Sequence, residues 1–271
     1  MTAGENAGEF SLLRLVPTVL RTREFRLYTQ GGRRLVDLWQ NNGAAVLGHT
    51  PPSLLRELKN TASRGLYAPF PHFLEGRFLK ALSRLFPNRG FRLYASAPAS
   101  LEPLFKNGIA ALWRPFLDSG SPLAVDDNAP PVLIPVLPGI QGWCNDLPQG
   151  LCVLALAAGY EGELPAGEYL SPILLAVATR GIYDLIAAKD RAKPVLPGVS
   201  KALQNSPWQR RGIYLSLRDK PDAEAWEVLF RRFLDSGFLI PPISSQPLIL
   251  PGILSPGEEA NFTFALSAPL A

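Results

Sequence analysis

Few side chains in this sequence can do chemistry, and they are widely spaced. Two histidines, His49 and His72, and two cysteines, Cys144 and Cys152, are the only candidates of their types for proton transfer, nucleophilic attack or soft-metal ligation. Carboxylates occur at Asp126–Asp127 and Asp146, and at Glu161 and Glu163 beside Tyr160, where they could serve acid–base or cation chemistry. Ser96 and Ser100 have no evident histidine partner, and neither a Gly-x-Ser-x-Gly elbow nor a phosphate-binding P-loop is present. Each candidate also has a structural reading. The aspartates lie in Pro/Gly/Asn-rich segments, where Asp is ordinary turn chemistry. His49 sits at a strand-to-helix corner that suits a hydrogen-bonded structural residue. Tyr67, Phe70, His72 and Phe73 in "LYAPFPHF" could pack, line a pocket or meet a second subunit, and Tyr160 and Glu161 suit a solvated or interface loop. The cysteine and histidine spacing matches no zinc site, so two free thiols in a reducing, cytoplasmic setting are expected, with no metal.

Positioning these residues requires a core, and the composition supplies one. Of 271 residues, 47% are hydrophobic and 18% charged, which is globular rather than disordered. A net charge of +4 is scattered, with basic runs no longer than pairs such as Arg33–Arg34 and Arg210–Arg211, so no nucleic-acid partner is expected. No apolar run reaches a membrane span, and "MTAGENAGEF" has no basic-then-apolar leader pattern. Along the chain, the pattern predicts a helix over 9–21 broken at Pro17. A hairpin in "FRLYTQGGRRLVDLW" follows, then a helix from Thr50 to about Ser63 with Thr50 as cap, and another over 72–86. "FRLYAS" reads as a strand, followed by a helix over 99–117. Buried strands are expected at Val132–Leu137 and Leu151–Ala157, then a helix from Ser171 to Lys189, a Pro-rich linker over 194–207, a strand over 211–218 and a helix over 221–236. The tail suits either a helix from Ser255 or a strand through "NFTFAL". Strands interleaved with helices give an α/β chain.

The order of these segments resembles class III aminotransferases, the glutamate-1-semialdehyde aminomutase and ornithine aminotransferase group. "RRLVDLWQNNGAAVLGHTPPSLLRELKN" resembles the N-terminal signature, with Asp37, Gly43, Gly48, His49 and Pro52 at its marked positions. "FRLYASAPAS" stands where that family has a strand and its phosphate cup. "ALAAGYEGELPAG" resembles the loop bearing the cofactor lysine, and "SGFLIPPISSQPLILPGILSPGEEAN" resembles the C-terminal segment. The resemblance implies a reduced fold-type-I PLP-transferase fold. A three-layer α/β/α large domain would span 66–195, and a small α+β domain would join 1–65 to 196–271.

The resemblance also implies what is missing. Pyridoxal phosphate (PLP) needs an amine, an acid at the pyridine nitrogen and backbone donors for its phosphate. The family lysine falls at Ala157 or Ala158, and no lysine lies between Lys106 and Lys189. The cup becomes Ser96, Ala97 and Pro98, with a proline that has no N–H, and no Asp-Glu-Val strand ending is present. The expectation is therefore a non-catalytic homodimer without PLP. It would bind a small metabolite or a full-length paralogue, with His49, Tyr67, His72, Ser96, Tyr160 and Glu161 as the candidate cleft. The alternatives are an aminotransferase-like enzyme that recruits Lys106, Lys189 or Lys201, and a hydrolase or lyase built on the loop carboxylates.

Overall fold

The computed structural model describes residues 10–49, 51–96, 98–101, 103–104, 111–117, 131–134, 141–144, 147–157, 159–160, 164–188, 194 and 196–267. The chain divides into two compact units. A terminal unit comprises Met1–Asn42, Leu117–Ser119 and Asp190–Ala271, and a central unit comprises Gly43–Phe116 and Gly120–Lys189.

In place of the helix expected over 9–21, a 3-10 turn over Phe10–Leu15 leads into strand β1 (Val19–Arg23). Pro17 cuts any helix short, and β1 gains an antiparallel ladder with β2 (Arg26–Thr29). The hairpin from β2 to β3 (Arg34–Asp37) turns at Gly31 and Gly32, both with positive φ, which only glycine adopts without strain.

Helix α1 (Pro52–Ala62) opens the helical part of the central unit. Its cap is Pro51, which makes no side-chain cap bond, while Thr50 lies outside the described residues. Helix α2 (Phe73–Leu85) buries Leu74, Phe78, Ala81, Leu82 and Leu85, the stripe expected of a core-facing helix. Strand β4 (Arg89–Tyr94) follows. In the stretch expected to be a helix over 99–117, a 3-10 turn over Ala99–Leu101 is followed by helical backbone at Pro103 and Leu104, 102 and 105–110 lie outside the described residues, and a short strand β5 (Ala111–Leu112) stands in place of the expected helix end. Next come β6 (Val132–Ile134), a hairpin of β7 (Gln141–Cys144) with β8 (Leu147–Gly150), and β9 (Cys152–Ala157). The sheet order is β4-β9-β6-β5, with β9 antiparallel to both neighbours and β5 parallel to β6. Helix α3 (Pro172–Ala187) packs on both α1 and α2. Ser53 on α1 donates to Asp184 of α3. Through that packing α1 belongs to the central unit, although the sequence groups it with the chain ends.

The chain then returns to the terminal unit. The expected linker holds a short helix α4 (Pro197–Ala202). The strand expected over 211–218 is a hairpin, β10 (Trp208–Arg211) with β11 (Tyr214–Leu217), turning at Gly212 with φ 59°. Helix α5 (Ala223–Asp235) is capped by Asp222, whose Oδ1 accepts from Ala225 N at 2.8 Å. Strand β12 (Phe238–Leu239) pairs in parallel with β3, and β13 (Leu248–Ile249) pairs antiparallel with β11. The tail is a helix, α6 (Pro256–Ser267), which settles the helix-or-strand choice. The core joins Trp208, Phe233, Phe238 and Phe262, all at most 1% exposed.

Helix α6 is anchored by charge. Arg26 donates from Nε and Nη2 to Glu258 Oε1 and Oε2 at 2.9 and 2.7 Å, and Arg34 lies 3.2 Å from the same carboxylate. Burial alone would raise the Glu258 pKa. The Arg26 fork, the Ser255 backbone N–H and the Arg26 charge outweigh it and hold the group at about 2, against 4.5 when free. A depressed carboxylate pKa stabilises the fold above its unfolded value. The contribution should therefore be complete above about pH 5 and be lost as pH falls from 4.5 toward 2. Glu258→Gln should cost about 2 kcal/mol at pH 7, the scale of lost charge-assisted bonds, and much less at pH 2, where the carboxyl is already about half protonated. Denaturant melts at both pH values measure this, and an equal loss at pH 2 would contradict it.

Candidate functional site

In an α/β sheet the reactive edge lies beyond the carboxyl ends of the co-directional strands. Here those strands are β4, β5 and β6, and the edge holds Ala95, Ser96 and Pro98 together with the start of β9. Segment 164–170 crosses it. Tyr94 Oη donates to Pro165 O at 3.0 Å, and Glu168 N donates to Leu93 O at 2.9 Å. Ala95 N then donates to Glu168 Oε2 at 2.8 Å. The first backbone donor after β4 is thus already bound to an anion, and the chain supplies that anion itself.

Beneath this strap, Tyr94 and Cys152 are fully buried. Burial pushes the Cys152 thiol up to about 12, and the Glu168 carboxylate adds to the shift. The thiol stays protonated at neutral pH, so it is no ready nucleophile or metal ligand. Burial also raises the Tyr94 pKa, with Cys152 contributing next. Both side chains belong to a core cluster with Leu101, Leu154 and Leu156, on which Tyr160 and Leu164 pack.

The residues singled out from the sequence do not converge. Ser96 is exposed at the end of β4 and Pro98 is half-buried, while Ala97 lies outside the described residues. Ala157 pairs with Arg89 at the opposite end of the β4–β9 ladder, whereas Cys152 pairs with Tyr94. Five residues of strand, roughly 17 Å, separate the two ends. A cofactor held at Ser96–Pro98 therefore could not reach an amine at Ala157, and the antiparallel direction of β9 is the reason. Ala158, Glu161, Glu163, Asp126, Asp127 and Asp146 lie outside the described residues, and so do Lys106 and Lys189. Tyr160 follows Ala157 at the same far end, with Tyr160 N donating to Ala157 O at 3.2 Å.

The remaining candidates have structural work. His72 Nδ1 accepts from Leu74 N at 3.3 Å as the cap of α2. Tyr67 Oη donates to Ala62 O at 3.0 Å, at the end of α1. His49 is half-buried just after Gly48, whose φ is 93°. Lys201 is exposed on α4 in the terminal unit. The described lysines of the central unit, Lys59 and Lys80, are exposed on α1 and α2. Among the described residues no group of three His, Cys, Asp or Glu side chains is placed to hold a metal ion, and no helix is long and apolar enough to cross a membrane.

Sequence reasoning passed over Glu168. It is a single acid in "PAGEYLSP" with no spacing signal, and only its approach to β4 gives it a role. Asp37 was legible as a marked position but not in its function. It is 2% exposed, and its Oδ1 accepts from Trp39 N and Gln40 N at 2.9 and 2.8 Å. It thereby supports Gln40, Asn41 and Asn42 in the left-handed region.

No protein-family model matches the chain. A protein of Treponema pallidum (strain Nichols) described only as uncharacterised is 26% identical, covering 90% of this chain and 92% of that relative. A second uncharacterised protein, from Borreliella burgdorferi, is 34% identical over 82 residues, which is 30% of each chain. Among solved structures, an omega-transaminase from Sphaerobacter thermophilus aligns with a TM-score of 0.65 at 12% identity, over 97% of this chain and 96% of that one. Plasmodium falciparum ornithine delta-aminotransferase aligns at 0.63 and 13%, over 93% and 92%. Acetylornithine aminotransferase from Elizabethkingia anophelis aligns at 0.61 and 12%, also over 93% and 92%. The likeness is one of fold: the chain has the fold-type-I PLP-transferase architecture of these aminotransferases.

The described residues do not fit the cofactor that this fold carries elsewhere. Ala95 N–H is taken by Glu168, Pro98 has no N–H, and a carboxylate at that edge repels a phosphate.

Proposed function

We propose that this chain is a non-catalytic relative of the class III aminotransferases, with a reduced version of their fold, and that it works as a homodimer through binding rather than turnover. The observation that carries the reading is the Glu168 carboxylate on Ala95 N–H. An internal anion occupies the strand end at which the resemblance implies a phosphate cup. The sequence adds a second support, since no lysine occurs between Lys106 and Lys189. On this reading no visible absorbance band stays with the purified chain once added PLP has been dialysed away. A persistent band would overturn it.

The dimer rests on a separate feature. Tyr67, Phe70 and Phe73 are 63, 57 and 59% exposed within seven residues, an apolar stretch that a soluble monomer seldom leaves open. The occupant we assign to it is a second copy of the chain. Light scattering should give twice the 29.5 kDa chain mass. Phe70→Glu combined with Phe73→Glu should weaken the dimer at least about tenfold, because two carboxylates would be desolvated on pairing. A monomeric wild type, or a double variant that still dimerises as tightly, contradicts the assignment.

A further inference from the structure

The terminal unit contains a cavity of about 220 Å³ that has no part in the edge described above. Its walls combine two buried indoles, Trp208 and Trp226, with the buried Leu215 and Leu248. The polar side chains around it include several unpaired donors. Trp208 Nε1–H is buried with no acceptor among the described residues, which leaves a donor for a ligand to meet. Trp226 Nε1, by contrast, donates to Pro241 O at 3.1 Å. Gln246 Oε1 accepts from Trp39 Nε1 at 2.9 Å, which leaves the NH2 end of its amide as a donor.

Two cations complete the lining. Arg218 and Lys220 are exposed, and neither side chain is paired with a carboxylate among the described residues. Of the two acids in this stretch, Asp222 is committed to capping α5, and Asp219, between the two cations in sequence, is exposed and does not line the cavity. The hydroxyls of Ser216, Ser244 and Ser245 are likewise without protein partners among the described residues, and all three line the cavity. A lining that joins two indoles to unpaired N–H donors, adaptable hydroxyls and two cations complements an anion with an apolar body.

We propose that this cavity binds a small carboxylate carrying one ring or a short branched chain, its carboxylate at Arg218 and Lys220 and its apolar body against Trp208 and Trp226. The volume sets the size, since it lies below the roughly 300–1,000 Å³ of drug-sized sites. The inference stands apart from the non-catalytic reading, because the cavity lies wholly in the terminal unit.

Benzoate titrated calorimetrically into the full-length chain tests the proposal. The expected result is saturable one-site binding. Arg218→Gln with Lys220→Gln, both at exposed positions, should weaken it at least about tenfold through the lost charge-assisted bonds while leaving the thermal midpoint unchanged. Benzylamine, the same ring with the opposite charge, should not bind, and inorganic phosphate should bind more weakly than benzoate. Absence of saturable benzoate binding would overturn the proposal. So would unchanged affinity in the double variant, equal binding of benzylamine, or phosphate binding as tightly as benzoate.

Discussion

Phe233→Ala should lower the unfolding free energy by about 3–5 kcal/mol, the range for a fully buried aromatic truncated in a core. Phe233 on α5 is 0% exposed, and its ring meets Trp208 of β10 at 6.0 Å and Phe262 of α6 at 6.2 Å, both edge-on. Collapse cannot fill the void. Trp208 is held by the β10–β11 ladder, and Phe262 packs against Phe238 at 5.2 Å. Lost transfer energy and a persistent cavity therefore add. Denaturant melts followed by tryptophan fluorescence should show a lower midpoint with little change in slope. Phe264→Ala is the control. That ring is on the same helix but 76% exposed, and its loss should cost within about 0.5 kcal/mol. Similar losses for the two variants would contradict the packing described.

Asp37→Ala should cost about 2–4 kcal/mol, the second large effect. Its carboxylate accepts two backbone N–H groups, from Trp39 and Gln40, at a site only 2% exposed. Removing it strands one buried and one part-buried donor, the buried one costing about 1–3 kcal/mol. The following residues magnify the effect. Gln40, Asn41 and Asn42 have φ of 49°, 49° and 50°, a conformation that costs a non-glycine residue roughly 1–2 kcal/mol. A turn this strained depends on the carboxylate that holds it. Asp37→Asn keeps one acceptor oxygen for the Trp39 and Gln40 N–H groups while exchanging the other for an NH2, so it should cost less than the alanine. Equal losses from Asn and Ala would show that the acceptor is not what matters.

Much of the scaffold was legible because its signals are local. Gly31–Gly32 between alternating segments gave the β2–β3 hairpin, and the apolar stripe from Phe73 to Phe86 gave α2. The helix expected over 221–236, stopped by Gly237, is α5. What was not legible depends on long-range pairing. "CVLALA" is apolar on both faces, and a strand buried on both sides reads the same whichever way it runs. Its antiparallel pairing with β4 moved Ala157 to the far edge from Ser96. The short β1 was masked by helix-compatible leucines upstream of Pro17, and it exists because β2 offers it a partner. Glu168 acquires meaning only when segment 164–170 lies across β4. The cavity beside Trp208 likewise requires the β11–β13 pairing, between segments 33 residues apart.

The central claim is that this fold-type-I chain no longer holds its cofactor through a lysine. The most direct measurement is to incubate the full-length chain with excess PLP, reduce with borohydride and map pyridoxyl-lysine by peptide mass spectrometry. The account predicts only sparse, substoichiometric labelling spread over exposed lysines such as Lys59, Lys80 and Lys201. Stoichiometric labelling of one lysine, with the others untouched, would contradict it.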